Sequence, residues 1–500
     1  MSIAVDTFFL DPSSVGTLQA RVQQMVAQGI LAGRFRAGER LPSSRKMAAH
    51  LGVSRITVTL AYTELVADDY LTSRGRSGYF VSENAPEPPA FPAKRAQVGT
   101  VDWARAIGHK FAPGLNHDKP ADWASYRYPF IYGQADKTLF DAANWRLCAL
   151  RALGMRDFGA LTSDYYDGDD PQLVEFIARQ TLPRRGILAN SDEILVTMGA
   201  QNALWLSAQV LLNSRRLAAI EDPGYPALRN ILDQSRCQYT AIPVDGDGLP
   251  PDALPPETDV VFTTPSHQCP TTSTMSVDRR KALLRKAEED DFLIVEDDYE
   301  FEMSFLKPAS PSLKSLDQNG RVIYVGSFSK SLFPGLRLGY LVGPAPFIRE
   351  ARALRATVLR HPPGHIQRTV SYYLSLGHYD ALIRRMGKAY HHRREVMDAA
   401  LTEHGLTVAG HGTYGGSAVW LRAPSGVDTT QLAHRLRGDS VLIESGAAFF
   451  ASDTPPTEYF RLAYSSIPAA KIGPGVEMIA RALAGNEKRD LYFSNKRLIS

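Results

Sequence analysis

Lys330 stands in SFSKSLFPGLRLGY, residues 327–340, among small and hydroxyl residues, with Arg337 seven positions on. An amine buried in such surroundings loses its proton readily and can then attack an aldehyde carbon. Three stretches upstream supply complementary groups. TMGAQNALW (197–205) reads as a strand, a glycine turn and a helix start, whose free N–H groups suit a phosphate. EDPGYP (221–226) sets Tyr225 in a sharp turn, where its ring can stack on a flat heterocycle. IVEDDYE (294–300) ends an apolar strand in carboxylates that can keep a ring nitrogen protonated, with Tyr299 in reach of a ring hydroxyl. Arg337 can pair with the phosphate from the lysine side. Pyridoxal 5′-phosphate supplies such an aldehyde and needs an acid at its ring nitrogen, donors for its phosphate and a lid for its ring; all three have candidates here, and it is the expected cofactor. Taken singly, each stretch is an ordinary turn or strand end; their order along the chain carries the reading.

The elements that must position these residues are legible from about Tyr126 onward. EILVTM (193–198), RLAAIED (216–222), DVVFTTP (259–265), FLIVEDD (292–298) and RVIYVGSF (321–328) are strand candidates separated by helical patterns. Such alternation predicts an α/β domain with a mostly parallel sheet covered by helices on both faces.

The N-terminal part is different. GTLQARVQQMVAQGILAG (16–33) has helical apolar spacing at Leu18, Val22, Met25, Val26 and Ile30, closed by Gly33. Ser43 and Ser54 are expected N-caps of two further helices, the second running to about Ala67 with Val58, Ala61, Tyr62 and Leu65 toward a core. YLTSRGRSGYFV then predicts two short strands around a turn. The set is a winged helix-turn-helix over residues 1–82. In that arrangement Ser54, Arg55, Thr57 and Thr59 of the last helix enter a major groove. Arg45 adds a phosphate contact, and Arg74, Gly75 and Arg76 form the wing tip. Residues 83–125, rich at first in Pro, Ala and charge, are expected to be a linker, and 126–490 the larger domain.

The ordered motifs LPSSR, LGVSRITV and LTSRGRSGYFV closely resemble the winged-helix domain of the GntR family of bacterial regulators. For the residues just named, the resemblance implies contacts to double-stranded promoter DNA. Phosphate loop, stacking aromatic, acid, lysine, arginine is the order of the aspartate-aminotransferase superfamily, fold type I, which residues 126–485 resemble. That resemblance implies that Lys330 forms the internal aldimine, Asp297 meets the pyridine nitrogen and Tyr299 meets the ring hydroxyl. It further implies that Gly199, Ala200, Gln201, Ser327 and Arg337 hold the phosphate while Tyr225 stacks. YFRLAYSS (459–466) matches the late arginine motif, implying that Arg461 grips the acidic group of an effector by a bidentate pair. PSHQCPTT (265–272) has Cys269 where aminotransferases usually carry asparagine, so His267 or Gln268 is the expected replacement contact. A winged helix fused to this domain resembles the MocR subfamily of GntR regulators. End to end, notably in MSIAVDTFFLDPSSVGTLQ and DVVFTTPSHQCPTTSTM, the chain most resembles the regulators of taurine and ectoine use.

Composition limits the alternatives. Residues 1–82 hold nine Lys/Arg against six Asp/Glu, and the remainder holds 47 of each, so the whole net charge of +3 belongs to the small basic unit. Three cysteines at unrelated spacings suggest neither a disulfide frame nor a metal cluster. MSIAVDTFFLDPSS does not read as a signal peptide, and the longest apolar run, 203–212, is too short for a bilayer. The expectation is a cytoplasmic sensor that takes up a primary-amine effector at Lys330 and controls a catabolic operon. Effector candidates are taurine, 2,4-diaminobutyrate and its acetylated forms, with gamma-aminobutyrate ranked below them. Superfamily analogy implies a homodimer, and a linker of this length spans ~30 Å as a coil, enough for each reader to lie over the other chain. The rival is an active aminotransferase with an accessory DNA-binding domain, since every residue that transamination needs is present.

Overall fold

Hydroxyl side chains start the first three α-helices of the chain. Thr17 Oγ1 accepts the Ala20 N–H at the head of α1 (Leu18–Leu31), Ser43 caps α2 (Ser44–Leu51) and Ser54 caps α3 (Arg55–Ala67). Each cap satisfies a backbone donor that the first turn leaves without an intrahelical partner. Val58, Ala61, Tyr62 and Leu65 of α3 are buried as their spacing predicts, packing with Val26, Ile30, Met47 and Leu71. On α1 the expected stripe is narrower: Val22, Val26 and Ile30 are buried, whereas Leu18 is exposed. The wing is β1 (Leu71–Ser73) paired antiparallel with β2 (Tyr79–Val81). Phe8 also enters this core, bringing the N-terminal segment onto α2 through a hydrogen bond between its carbonyl and His50.

The computed structural model describes residues 2–11, 15–86, 101–108, 119–134, 136–162 and 168–497. The chain divides into two units, Met1–Lys110 and Phe111–Ser500. Most of the expected linker, 87–100 and 109–118, lies outside the described residues.

The second unit is built on a seven-stranded sheet. Its spatial order is Ile194–Thr197, Gly339–Val342, Val322–Ser327, Leu293–Asp297, Thr258–Thr263, Leu217–Asp222 and Gln238–Pro243. Six strands run in one direction and Gly339–Val342 runs against its two neighbours. The five strands expected from sequence are all present. The two not expected have local causes: Gln238–Pro243 is an edge strand with a weak apolar signal, and Gly339–Val342 is only four residues long. Helices cover both faces, packing separate buried clusters against the sheet. A smaller antiparallel sheet, Thr407–Val408, Ala418–Arg422, Tyr459–Ala463 and Glu444–Ser445, carries the late arginine motif. No helix among the described residues is long and apolar enough to cross a membrane.

Leu65 is 3% exposed in the core of the first unit. Leu65→Ala is expected to destabilise that unit by about 2–5 kcal/mol. Calorimetry of the full chain reads this as a lower unfolding temperature for one transition while the transition of the larger unit stays in place.

Candidate functional site

The sequence-predicted chemical residues collect at the carboxyl ends of parallel strands, the usual ligand side of such sheets. Asp297 is the last residue of Leu293–Asp297, and Lys330 lies three residues beyond Val322–Ser327. Gly199 follows Ile194–Thr197 and caps the helix Ala200–Leu211; Tyr225 follows Leu217–Asp222 and caps the helix Pro226–Ser235.

Gly199 has no side chain to cap its helix, and its φ of +84° is in the region that favours glycine. A Cβ there would stand 3.6 Å from Ser329 Oγ and 3.8 Å from Arg337 Cζ. The glycine, the serine and the arginine therefore converge on one small space, at the amino end of a helix whose first residues are Ala200 and Gln201. Asn202 Oδ1 accepts the Met198 N–H at 3.1 Å and holds the turn. Ser327 is buried and its Oγ accepts the Ser329 N–H at 3.2 Å. Ser329 was not singled out from sequence, yet its buried hydroxyl has no hydrogen-bond partner among the described residues.

Lys330 is half-buried by surface area, but its amine is walled in. Nζ lies 4.0 Å from the centroid of the Tyr132 ring, and a Cβ on Gly133 would come within 2.5 Å of it. Burial pulls the amine down to about 8, with the Glu300 carboxylate opposing. Asp297 is buried and its Oδ1 has no partner among the described residues. Burial pushes its carboxyl up to about 8, and Asp298 and Glu221 push the same way. Tyr225 shares a cavity with Asp297, Thr264 and Phe262. Tyr299 donates its hydroxyl to the His267 carbonyl at 2.9 Å, so its present partner is backbone.

The two expected replacements for asparagine are placed differently. Gln268 Nε2 is engaged by Pro223 O at 2.7 Å, Cys269 O at 2.8 Å and Glu221 Oε2 at 3.2 Å. The His267 ring is buried with neither nitrogen bonded, and burial takes it down to about 4; the charges acting on it are Asp298, Arg185 and Arg280. Cys269 instead feels Arg461, Glu221, Lys330 and Asp297, and burial pushes its thiol up to about 11.

Arg461 lies on Tyr459–Ala463 directly opposite Glu444. Its Nε donates to Glu444 Oε2 at 2.9 Å, and its guanidinium lies 4.1 Å from the Tyr132 ring and 4.7 Å from the Phe449 ring. Burial opposes this charge most strongly, but Glu444, Cys269 and Tyr132 together outweigh it and hold Arg461 above the usual arginine range. The expected free bidentate grip is thus partly taken: one edge of the fork already has a carboxylate. Tyr132 and Glu444 were missed from sequence because nothing local marks them; Glu300, which accepts the Ser417 hydroxyl, ends the quoted stretch IVEDDYE but was given no role of its own.

In the first unit Arg45, Arg55, Arg74, Gly75 and Arg76 are exposed on α2, α3 and the wing. Arg74 packs 4.8 Å over the Phe80 ring. Ser54 and Thr57 share a hydroxyl hydrogen bond of 2.8 Å, and Thr59 Oγ1 donates to Arg55 O at 2.9 Å.

Comparison with known proteins agrees with this two-part plan. Residues 18–81 match the bacterial regulatory proteins of the gntR family, and residues 155–479 match aminotransferase class I and II. The HTH-type transcriptional regulator TauR of Rhodobacter capsulatus is 60% identical over 97% of this chain and 100% of its own length. The chain is a MocR-type transcription regulator of the gntR family. The probable rhizopine catabolism regulatory protein MocR of Rhizobium meliloti is 30% identical over 79% of each chain. Among solved structures, kynurenine aminotransferase of Pyrococcus horikoshii, in complex with PMP, superposes with a TM-score of 0.69 at 27% identity, covering 77% of this chain and 98% of that one.

The aminotransferase class to which the larger unit of this MocR-type regulator belongs is pyridoxal-phosphate-dependent. The residues present fit that group. Ser329 Oγ is an orphaned donor beside Gly199 and Arg337, and Asp297 Oδ1 is an orphaned acceptor. The same Asp297 sets a pH dependence. Its folded value lies above its unfolded one, so the carboxyl is neutral and costs little at low pH; the cost of burying its charge grows as pH rises and is complete above about 8. Asp297→Asn is expected to raise the melting temperature of the cofactor-free protein at pH 8.5 and to change it little at pH 5.

Proposed function

We propose that this regulator binds promoter DNA through α3 and the wing and senses a primary amine carrying an acidic group at the site around Lys330, as a homodimer controlling a catabolic operon. The observation that carries the reading is a walled-in lysine, lowered to about 8, near a buried aspartate oxygen and a buried serine hydroxyl that have no partner among the described residues.

Pyridoxal 5′-phosphate, when bound, supplies an aldehyde carbon that neutral amines attack. Lys330 provides one such amine, and its lowered value keeps a useful neutral fraction near pH 8. Gly199, Ala200, Gln201, Ser327, Ser329 and Arg337 would hold the phosphate, and Tyr225 would stack on the ring. Asp297 would accept the ring N–H and, so paired, take up its negative charge. Tyr299 would turn from the His267 carbonyl to the ring hydroxyl, while Cys269 fills the place of a polar side chain. Arg461, steadied by Glu444 and two aromatic rings, would receive the acid of the effector on the edge that Glu444 leaves open. Effectors that suit this pairing include taurine, 2,4-diaminobutyrate and its acetylated forms, and gamma-aminobutyrate. Tenancy of the site by one of them would favour one of two arrangements of the dimer and so alter how its two DNA readers meet their half-sites.

The test is spectroscopic. Purified protein supplied with the cofactor is expected to show a visible band that Lys330→Ala lacks. Titration with each amine is expected to shift the band for one of them without accumulation of a carbonyl product. A shift with steady product would instead support an enzyme, and no band would remove Lys330 from the account. The band is expected to form faster as pH rises through about 8, as the neutral lysine becomes abundant. DNA affinity is expected to fall steeply with salt, and a flat response would argue against phosphate-dominated docking.

A further inference from the structure

The outward side of α3 is apolar. Ile56 is 71% exposed and Leu60 is 48% exposed. With Thr59 and Thr63 they follow helical spacing along one side, opposite buried Val58, Ala61, Tyr62 and Leu65. The polar groups of this helix are largely engaged within the unit. The Thr59 and Thr63 hydroxyls donate to the carbonyls of Arg55 and Thr59, both at 2.9 Å. The Ser54 and Thr57 hydroxyls bond one another. Glu64, the single carboxylate of α3, accepts from Gln19 at 2.8 Å and from Gln23, which ties it toward α1. The outward side therefore presents methyl groups, with Arg55 at its amino end.

In a major groove the one methyl group among the four bases belongs to thymine. We propose that the outward side of α3 reads thymine methyl groups of duplex DNA, with Ile56 as a specificity-determining side chain. This rests on the reading of the N-terminal unit as a DNA reader. Charge favours DNA over a protein partner: Arg45, Arg55, Arg74 and Arg76 are all exposed on the same unit, a match for phosphates, and the one carboxylate of α3, Glu64, borders the outward side a turn beyond Leu60 and is tied to Gln19 and Gln23. Arg55 and the wing would set register on the backbone, while Ile56 and Leu60 would discriminate by contact with C5 methyls, against which cytosine offers only a hydrogen.

The experiment selects random-sequence duplexes on the full chain supplied with pyridoxal 5′-phosphate. The recovered site is then synthesised with each thymine in turn replaced by uracil, which lacks only the methyl. At one thymine or more, the replacement is expected to weaken binding about four-fold, the effect of one methyl-sized group. Ile56→Ala is expected to bind the thymine and uracil forms of that position alike. Because Ile56 is exposed, the variant should keep its fold, which circular dichroism checks. Equal binding of thymine and uracil duplexes by the natural chain would overturn the inference, as would an unchanged thymine preference in Ile56→Ala. If selection enriches no sequence at all, the DNA-reader reading itself falls, and this inference with it.

Discussion

Four carboxylates lie buried within five residues at the end of one strand: Glu296, Asp297, Asp298 and Glu300. Such crowding is tolerable only if most of the charges are matched. Glu296 accepts the N–H groups of Leu313 and Lys314 at 2.8 and 2.9 Å and faces Arg280. Asp298 accepts from Arg185 at 2.7 Å and from the Tyr324 hydroxyl at 2.8 Å. Glu300 takes the Ser417 hydroxyl. Asp298 Oδ1 and Asp297 Oδ1 are both buried without a partner among the described residues, but the other oxygen of Asp298 is held twice, whereas no hydrogen bond or ion pair there holds Asp297. The alternation of the strand separates it from its neighbours, and that separation leaves an unsatisfied acid at the carboxyl edge of the sheet. A ring that brings its own N–H would supply the partner that Asp297 lacks.

Tyr132 ties the large sheet to the small one. Its ring lies 4.0 Å from Lys330 Nζ and 4.1 Å from the Arg461 guanidinium. Its backbone N–H donates to Glu444 at 3.2 Å, the same carboxylate that holds Arg461. Glycine suits the next position, since Gly133 has a φ of +77° and a Cβ there would displace the end of the lysine side chain. A lysine from the large sheet, an arginine from the small sheet and a ring from the segment entering the domain thus form one unit. A ligand bearing both an amine and an acid would engage both ends of it.

Much of the fold was legible because it depends on local pattern. Ser43 and Ser54 read as caps and are caps; the five apolar runs read as parallel strands and are strands. Lys330, Asp297, Tyr225, Gly199 and Arg337 were recognisable from motif order. Ser329 could have been found too, since its hydroxyl sits beside the lysine in the same motif. Glu444 and Tyr132 could not: neither lies in a motif, and each matters only because distant segments meet. The same holds for the division of labour in SHQC, where the loop turns Gln268 toward Glu221 and Pro223, leaves the His267 ring among other charges, and brings Cys269 under the influence of Lys330 and Arg461.

The sequence by itself therefore determined the two-part plan, the class of each part, the helix starts, the strand set and the residues whose chemistry suits an aldehyde and a phosphate. These follow from short-range rules: periodicity, capping and the order of motifs. Only the tertiary structure decided which of several adjacent carboxylates stays unpaired, that Arg461 is already half engaged, and that an isoleucine is left bare on α3. Each of those outcomes depends on which groups meet across hundreds of residues, and burial and pairing act through distance in space rather than distance along the chain.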